Sequence, residues 1–128
     1  QWQLNNLLDL VAGYPCVKGF VVSNLTRNRN LLPISNPEKL AQFPGGVSGQ
    51  AVRRISTEMI KKIRSRTADK YVIIGLGGIF TAEDAYEKLH AGADLLQLVT
   101  GLIYEGPGVV KKINRGLVKI LKKINLNK

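Results

Sequence analysis

The sequence holds one cysteine, Cys16, and one histidine, His90. A lone cysteine excludes an internal disulfide and fits a reducing compartment. Together the two residues are too few for a Cys/His zinc site. Aromatic residues are scarce as well, one Trp, four Tyr and three Phe in 128 residues, and they are not interleaved with the basic ones. That argues against a stacking platform for single strands, and no nucleic-acid partner is expected. No apolar run is long enough to span a membrane, and the opening Gln1-Trp2-Gln3-Leu4 has neither the charged nor the apolar part of a signal peptide. It also opens without Met, so the expectation is a piece of something longer. Acidic residues are in deficit, nine against nineteen Lys and Arg, for a net charge of +10. The cations crowd into residues 53–70 and 111–128, which both read as helices. Solvated outer helix faces are the simplest account, and attraction to an anionic surface is the other.

The chain is organised around Val72-Ile73-Ile74-Gly75-Leu76-Gly77-Gly78-Ile79. Three β-branched residues in a row suit a parallel strand buried on both faces. Glycines then come where the backbone must turn sharply or approach something closely. Thr81 can cap the helix that follows, with Asp84 three residues on as an imperfect capping box. Strand, glycine turn and helix start together make an anion site whose natural occupant is a phosphate. The dinucleotide fingerprint G-x-G-x-x-G is not met, because Phe80 stands where the third glycine belongs. A barrel-type phosphate loop fits better than a Rossmann domain.

The rest of the chain alternates. Leu4, Leu7, Leu8 and Val11 predict a helix over 3–12, and a strand follows near 17–23. Residues 27–47 carry Asn, Pro and Gly without a period and read as a long, lid-like loop. A helix from about Gln50 to Arg66 puts Val52, Ile55, Met59 and Ile63 on one face. Strands near 71–76 and 94–99 flank a helix over 82–90, and Pro107 suits the first turn of a last helix with lysines on its outer side. The order α-β-α-β-α-β-α implies a parallel sheet with right-handed crossovers. Three strands with helices on one side cannot bury both sheet faces. The expected fold class is therefore α/β, the C-terminal portion of a (β/α)₈ barrel with about three strands and four helices.

Four motifs now read together: Gly19-Phe20-Val21-Val22-Ser23-Asn24-Leu25-Thr26, Gly45-Gly46-Val47-Ser48-Gly49, Ile73-Ile74-Gly75-Leu76-Gly77-Gly78-Ile79, and the run from Ala91 to Gly108. In this order and spacing they resemble the C-terminal part of the quinone-dependent, membrane-associated class of dihydroorotate dehydrogenases, from about Asn5 to Ile124. The resemblance implies that residues 1–128 are part of an FMN-binding barrel that oxidises dihydroorotate to orotate in pyrimidine biosynthesis, passing electrons to a quinone. It also implies peripheral association with the inner membrane. Carried over residue by residue, Ser23 falls near the flavin and Asn24 on the substrate. Leu25 takes the place of a second, hydrogen-bonding Thr at the substrate. Gly49, Gly78, Val99 and Thr100 fall at the FMN phosphate, with Val99 where the family has a Tyr. The family's serine base, its flavin-contacting lysine and its N-terminal membrane helices have no counterpart here. The remainder of the barrel is thus an expected partner, and no catalytic residue is assigned.

His90 at a helix end suits the helix dipole, and Cys16 reads as a small buried or half-buried residue. The last helix reads as the outer helix closing a barrel, with a lysine face able to touch anionic lipid. Two further readings compete with the first: another FMN or phosphate barrel such as a tRNA dihydrouridine synthase, and a non-catalytic anion-binding remnant.

Overall fold

A computed structural model describes residues 2–33 and 37–126. Helix α1 (Trp2–Ala12) leads into strand β1 (Gly19–Val22). A single turn of 3₁₀ helix (Arg29–Leu31) and the short α2 (Pro37–Ala41) follow, then a second 3₁₀ turn (Gly49–Val52) running into α3 (Arg53–Thr67). Strand β2 (Val72–Leu76), α4 (Ala82–His90), β3 (Leu95–Gln97), α5 (Thr100–Glu105) and α6 (Val109–Leu126) complete the chain. The sheet order is β1-β2-β3 and both pairings are parallel, with Val22 opposite Gly75 and Leu76 opposite Gln97. Strand order thus follows sequence order, as successive βα units require.

The period-2 alternation of the strands divides the sheet into two faces. On one, Val22, Ile73 and Gly75 are buried beneath α3, where Ile60 and Ile63 meet them with Leu8 from α1. Ile60 and Ile73 have no exposed surface, and burial of each such side chain is worth about 1.5–3 kcal/mol. On the other face, Val21, Val72 and Leu95 stay roughly half exposed. A second core joins Ile79, Ala85, Val109 and Ile113, fixing α6 on α4. One covered and one open face is the arrangement of a barrel segment: helices outside, bare sheet toward the barrel interior.

Several expectations need correction. The described residues hold six α-helices instead of four. Thr100–Glu105 forms the unexpected α5, and α6 starts at Val109, leaving Pro107 in the link between them. The inner face of α3 is carried by Val52, Ser56, Thr57, Ile60 and Ile63. Ile55 and Met59 are only half-buried, because Ser56 and Thr57 find hydrogen-bond acceptors and can face inward. Cys16 lies exposed in the turn before β1. The expected lid has order of its own: the Arg29 guanidinium donates to the carbonyls of Leu40 and Phe43, both at 2.6 Å, and of Gly45 at 3.1 Å. Positions 34–36 of that segment lie outside the described residues.

Opposite the carboxyl ends of the strands, one side chain ties the fold together. Arg64 donates from Nε to the Gly92 carbonyl at 2.9 Å and from a terminal nitrogen to Asp94 Oδ2 at 2.6 Å. That carboxylate oxygen also accepts the Ile73 N–H at 2.7 Å.

Candidate functional site

Parallel pairing brings all three strand carboxyl ends to one edge. There β1 runs into Ser23 and Asn24, β2 into Gly77 and Gly78, and β3 into Leu98, Val99 and Thr100. A fourth segment is folded onto the same edge. Thr26 and Val47 form an antiparallel bridge through N–H···O bonds of 3.0 and 2.8 Å, which returns Ser48 and Gly49 to the strand ends. Ser48 Oγ then lies 3.3 Å from Thr100 Oγ1.

Between these segments is a recess of about 50 Å³. Of the residues assigned from the sequence, Asn24, Gly49, Gly78, Val99 and Thr100 line it. Ser23 and Leu25 do not. Ser23 continues the strand pairing, its N–H donating to the Leu76 carbonyl at 3.0 Å, and Leu25 packs over Gly46. Ser48 and Gln97 also line the recess, and sequence reasoning missed both. For Ser48 the signal was at hand, a hydroxyl one residue before the last glycine of its motif; Gln97 gave none.

Among the described residues no charged side chain lines the recess. Its polar groups are main-chain amides, the Ser48 and Thr100 hydroxyls and the Asn24 and Gln97 amides, so an anion there would be held by dipoles in a pocket narrow enough to exclude larger groups. Gly49 (φ +75°) comes so near Thr100 that an added Cβ would sit 2.9 Å from its methyl group. Gly78 (φ +73°) has a different constraint: a Cβ there would lie 2.5 Å from Cβ and 2.8 Å from Cα of Arg53. Glycine at 78 thus also serves the packing of the β2–α4 turn on α3.

The back of that turn is braced by charge. Asp84, almost fully buried, accepts the Phe80 and Thr81 N–H groups, each at 3.1 Å, and pairs with the Arg53 guanidinium. Thr81 Oγ1 accepts the Asp84 N–H at 3.1 Å, which completes the capping box. Ser56 donates to the Leu76 carbonyl at 2.6 Å. Lys88 has no exposed surface, and its ammonium donates to the Arg53 carbonyl (2.9 Å) and to Thr57 Oγ1 (2.8 Å). Burial is the main cause that lowers its pKa from 10.5 to about 8, with Arg53 lowering it further and Glu87 and Asp84 opposing.

The recess can bind, but it brings no acid or base of its own. His90 is exposed and stacks on Tyr86 at the far end of α4, with ring centroids 5.7 Å apart. Among the described residues no cluster of His, Cys, Asp and Glu could hold a metal ion, and no helix is long and apolar enough to cross a membrane.

Comparison with known proteins gives this edge a context. The family profile described as dihydroorotate dehydrogenase matches residues 1–121. The chain is 44% identical over 126 residues to a dihydroorotate dehydrogenase (quinone) of Trichodesmium erythraeum, covering 94% of this chain and 33% of the relative. With the protein of the same name from Deinococcus radiodurans it shares 45% identity over 105 residues, 82% of this chain and 27% of the relative. Two crystal structures of the Eimeria tenella dihydroorotate dehydrogenase superpose on it. The ligand-free form has a TM-score of 0.84 at 30% identity, covering 94% of this chain and 33% of the other. The complex with ferulenol has a TM-score of 0.85 at 29% identity, covering 96% and 32%. The chain therefore spans about a third of the length of the relatives it matches, and its fold is that of part of a (β/α)₈ barrel. With the profile running through nearly every described element, from α1 into α6, the chain belongs to the dihydroorotate dehydrogenase family.

Proposed function

We propose that residues 1–128 form the C-terminal, phosphate-holding part of an FMN-binding barrel that oxidises dihydroorotate to orotate in pyrimidine biosynthesis. The observation that carries this reading is the meeting of Gly49, Gly78, Val99 and Thr100 around one uncharged recess at the strand carboxyl ends. Barrels of this type bind phosphate at the loops after their last two strands. The recess fits such a group: it is small, and amides and hydroxyls surround it. In this reading the main chain of those four residues, with the Ser48 and Thr100 hydroxyls, holds the FMN phosphate. Ser23 and Leu25 stand beside the ring and the substrate, outside the recess itself. Asn24, which follows β1, can both donate to and accept from the edge of a pyrimidine. Bound FMN would supply the acceptor for the substrate's hydride. This chain's residues bind and orient; the base that takes the proton comes from the rest of the barrel. The relatives are named for quinone, so the electron acceptor we propose is a membrane quinone, with the whole enzyme held peripherally at the membrane.

The test is a chimera. Residues 1–128 are joined to the first two-thirds of the Trichodesmium relative, and bound flavin and orotate formation are measured beside residues 1–128 alone. The chimera should carry flavin and turn over dihydroorotate, and the isolated chain should do neither. Orotate formation by the isolated chain, or a soluble chimera without flavin, would overturn the assignment.

A further inference from the structure

The loop between β1 and the second 3₁₀ turn closes on itself before it reaches the recess. About twenty residues separate Thr26 from Val47, yet their main chains pair in the antiparallel bridge. The two hydrogen bonds of that bridge are few for ordering a loop of this length against its conformational entropy. Arg29 supplies three more. The Thr26 hydroxyl accepts the Asn28 N–H at 3.1 Å, which turns the chain just after the bridge. Arg29 comes next, partly buried, and reaches across the loop to residues 40, 43 and 45. All three acceptors are main-chain carbonyls: Leu40 within α2, Phe43 just after it, and Gly45 two residues before the bridge at Val47. A planar fork of donors suits that span, and a single ammonium would not cover it.

The residues that follow carry the constraint on to the recess. Gly45 has φ +100° and open space around it, so glycine is needed there to make the turn. Gly46 lies against the Leu25 side chain with no room for a Cβ. Val47 is held by Thr26, Ser48 lies 3.3 Å from Thr100 Oγ1, and Gly49 packs on the Thr100 side chain. Each residue from 45 to 49 is thus seated on a neighbour, and Arg29 holds the first. Arg29 does not line the recess, and its guanidinium is occupied by carbonyls, so it is not itself a ligand for an anion there. We infer that Arg29 is a positioning residue for the recess: by clamping the Leu40, Phe43 and Gly45 carbonyls it holds Ser48 and Gly49 at the strand ends, where they meet a bound phosphate. This role presupposes that the recess is the phosphate site of the proposed function.

The experiment compares Arg29→Gln with Arg27→Gln, which removes the same charge from an exposed neighbour. In residues 1–128, hydrogen exchange at the Thr26 and Val47 amides should quicken on the order of tenfold in Arg29→Gln, as the assembled loop becomes less populated. The Ile73 amide, bonded to Asp94 at the other end of the sheet, should keep its rate. In the chimera with the Trichodesmium relative, apoprotein is titrated with FMN and with riboflavin, which has the same rings and no phosphate. The parent should prefer FMN, and in Arg29→Gln that preference should fall on the order of tenfold, by the same loss of assembled loop. Arg27→Gln should match the parent in both assays. Four results would overturn the role of Arg29: unchanged exchange in Arg29→Gln, equal quickening of all three amides, equal effects of the two substitutions, or an Arg29→Gln chimera that keeps the parent's full preference for FMN. A parent chimera with no preference for FMN would instead overturn the phosphate site itself, and the role of Arg29 with it.

Discussion

Replacing Lys88 by Met should make the folded chain more stable at neutral pH, against the usual direction for a fully buried residue. The lysine keeps its charge at pH 7 although its pKa is lowered from 10.5 to about 8. At about 1.36 kcal/mol per pH unit, holding that charge inside costs about 3 kcal/mol relative to the neutral amine. Met has a similar length and no charge, so the cost disappears. What is lost is two hydrogen bonds, to the Arg53 carbonyl and to Thr57 Oγ1, worth about 1 kcal/mol each for a neutral amine. Neither partner is stranded, because the Thr57 hydroxyl already donates to the Arg53 carbonyl at 3.0 Å. The net expectation is a gain of about 1 kcal/mol at pH 7. The sign then changes with pH. With the folded pKa below the unfolded one, the unfolded chain binds more protons between about pH 8 and 10.5, so the native lysine becomes less costly as pH rises through that window. Above it, the Met variant should be the less stable by about 2 kcal/mol. Urea unfolding of both proteins, followed by circular dichroism at several pH values, measures the difference while other titrating groups cancel. A variant that is less stable at pH 7, or a difference that does not change with pH, would refute the account of Lys88.

Gly78→Ala should destabilise the chain by roughly 2–4 kcal/mol, through positive φ and collision with Arg53, and should loosen flavin in an active chimera. Val99→Ala, at a half-exposed position that would contribute its main chain, should leave flavin affinity within about twofold; a larger loss would show that its side chain matters. Asp84→Ala leaves two N–H groups without their acceptor and the Arg53 guanidinium with Glu87 alone, so a loss of about 2–3 kcal/mol is expected in urea unfolding, and a loss under 1 kcal/mol would contradict the bracing role. Arg64→Ala should cost about 2–4 kcal/mol while a chimera that still folds keeps its flavin affinity; a specific loss of flavin would mean that the two ends of the sheet are not separate.

The strands were legible because a parallel sheet writes its strands as short apolar runs, and the start of α4 because Thr81 and Asp84 stand at capping distance. Helix α5 was not, since Thr100-Gly101-Leu102-Ile103-Tyr104-Glu105 is too short to show a period and contains a glycine. Cys16 looked like a core residue by type, yet it follows Tyr14-Pro15 in a turn that keeps it at the surface. The glycine motifs pointed to the strand ends that now surround the recess. What they could not convey is which neighbour each glycine accommodates. For Gly78 that is Arg53, twenty-five residues earlier on another helix. Lys88 was illegible altogether: a lysine within an amphipathic helix looks the same whether water or a buried carbonyl and hydroxyl accept its hydrogen bonds.

Helix α3 sends an arginine to each end of the sheet, and the two have no partner in common. Arg53 at its start supports the turn after β2, and Arg64 near its end ties down Gly92 and Asp94 ahead of β3. Eleven residues of helix set these about 16 Å apart, beyond the 7–10 Å within which substitutions usually couple. Free-energy changes made at the two arginines should therefore add. The sequence around Arg64 is then free to drift, or to be engineered for a higher melting temperature, without being constrained by whatever the recess must bind. A combined Gly78→Ala and Arg64→Ala chain whose stability loss departs from the sum of the single losses by more than about 0.5 kcal/mol would show instead that α3 shifts as one rigid rod and passes the disturbance along.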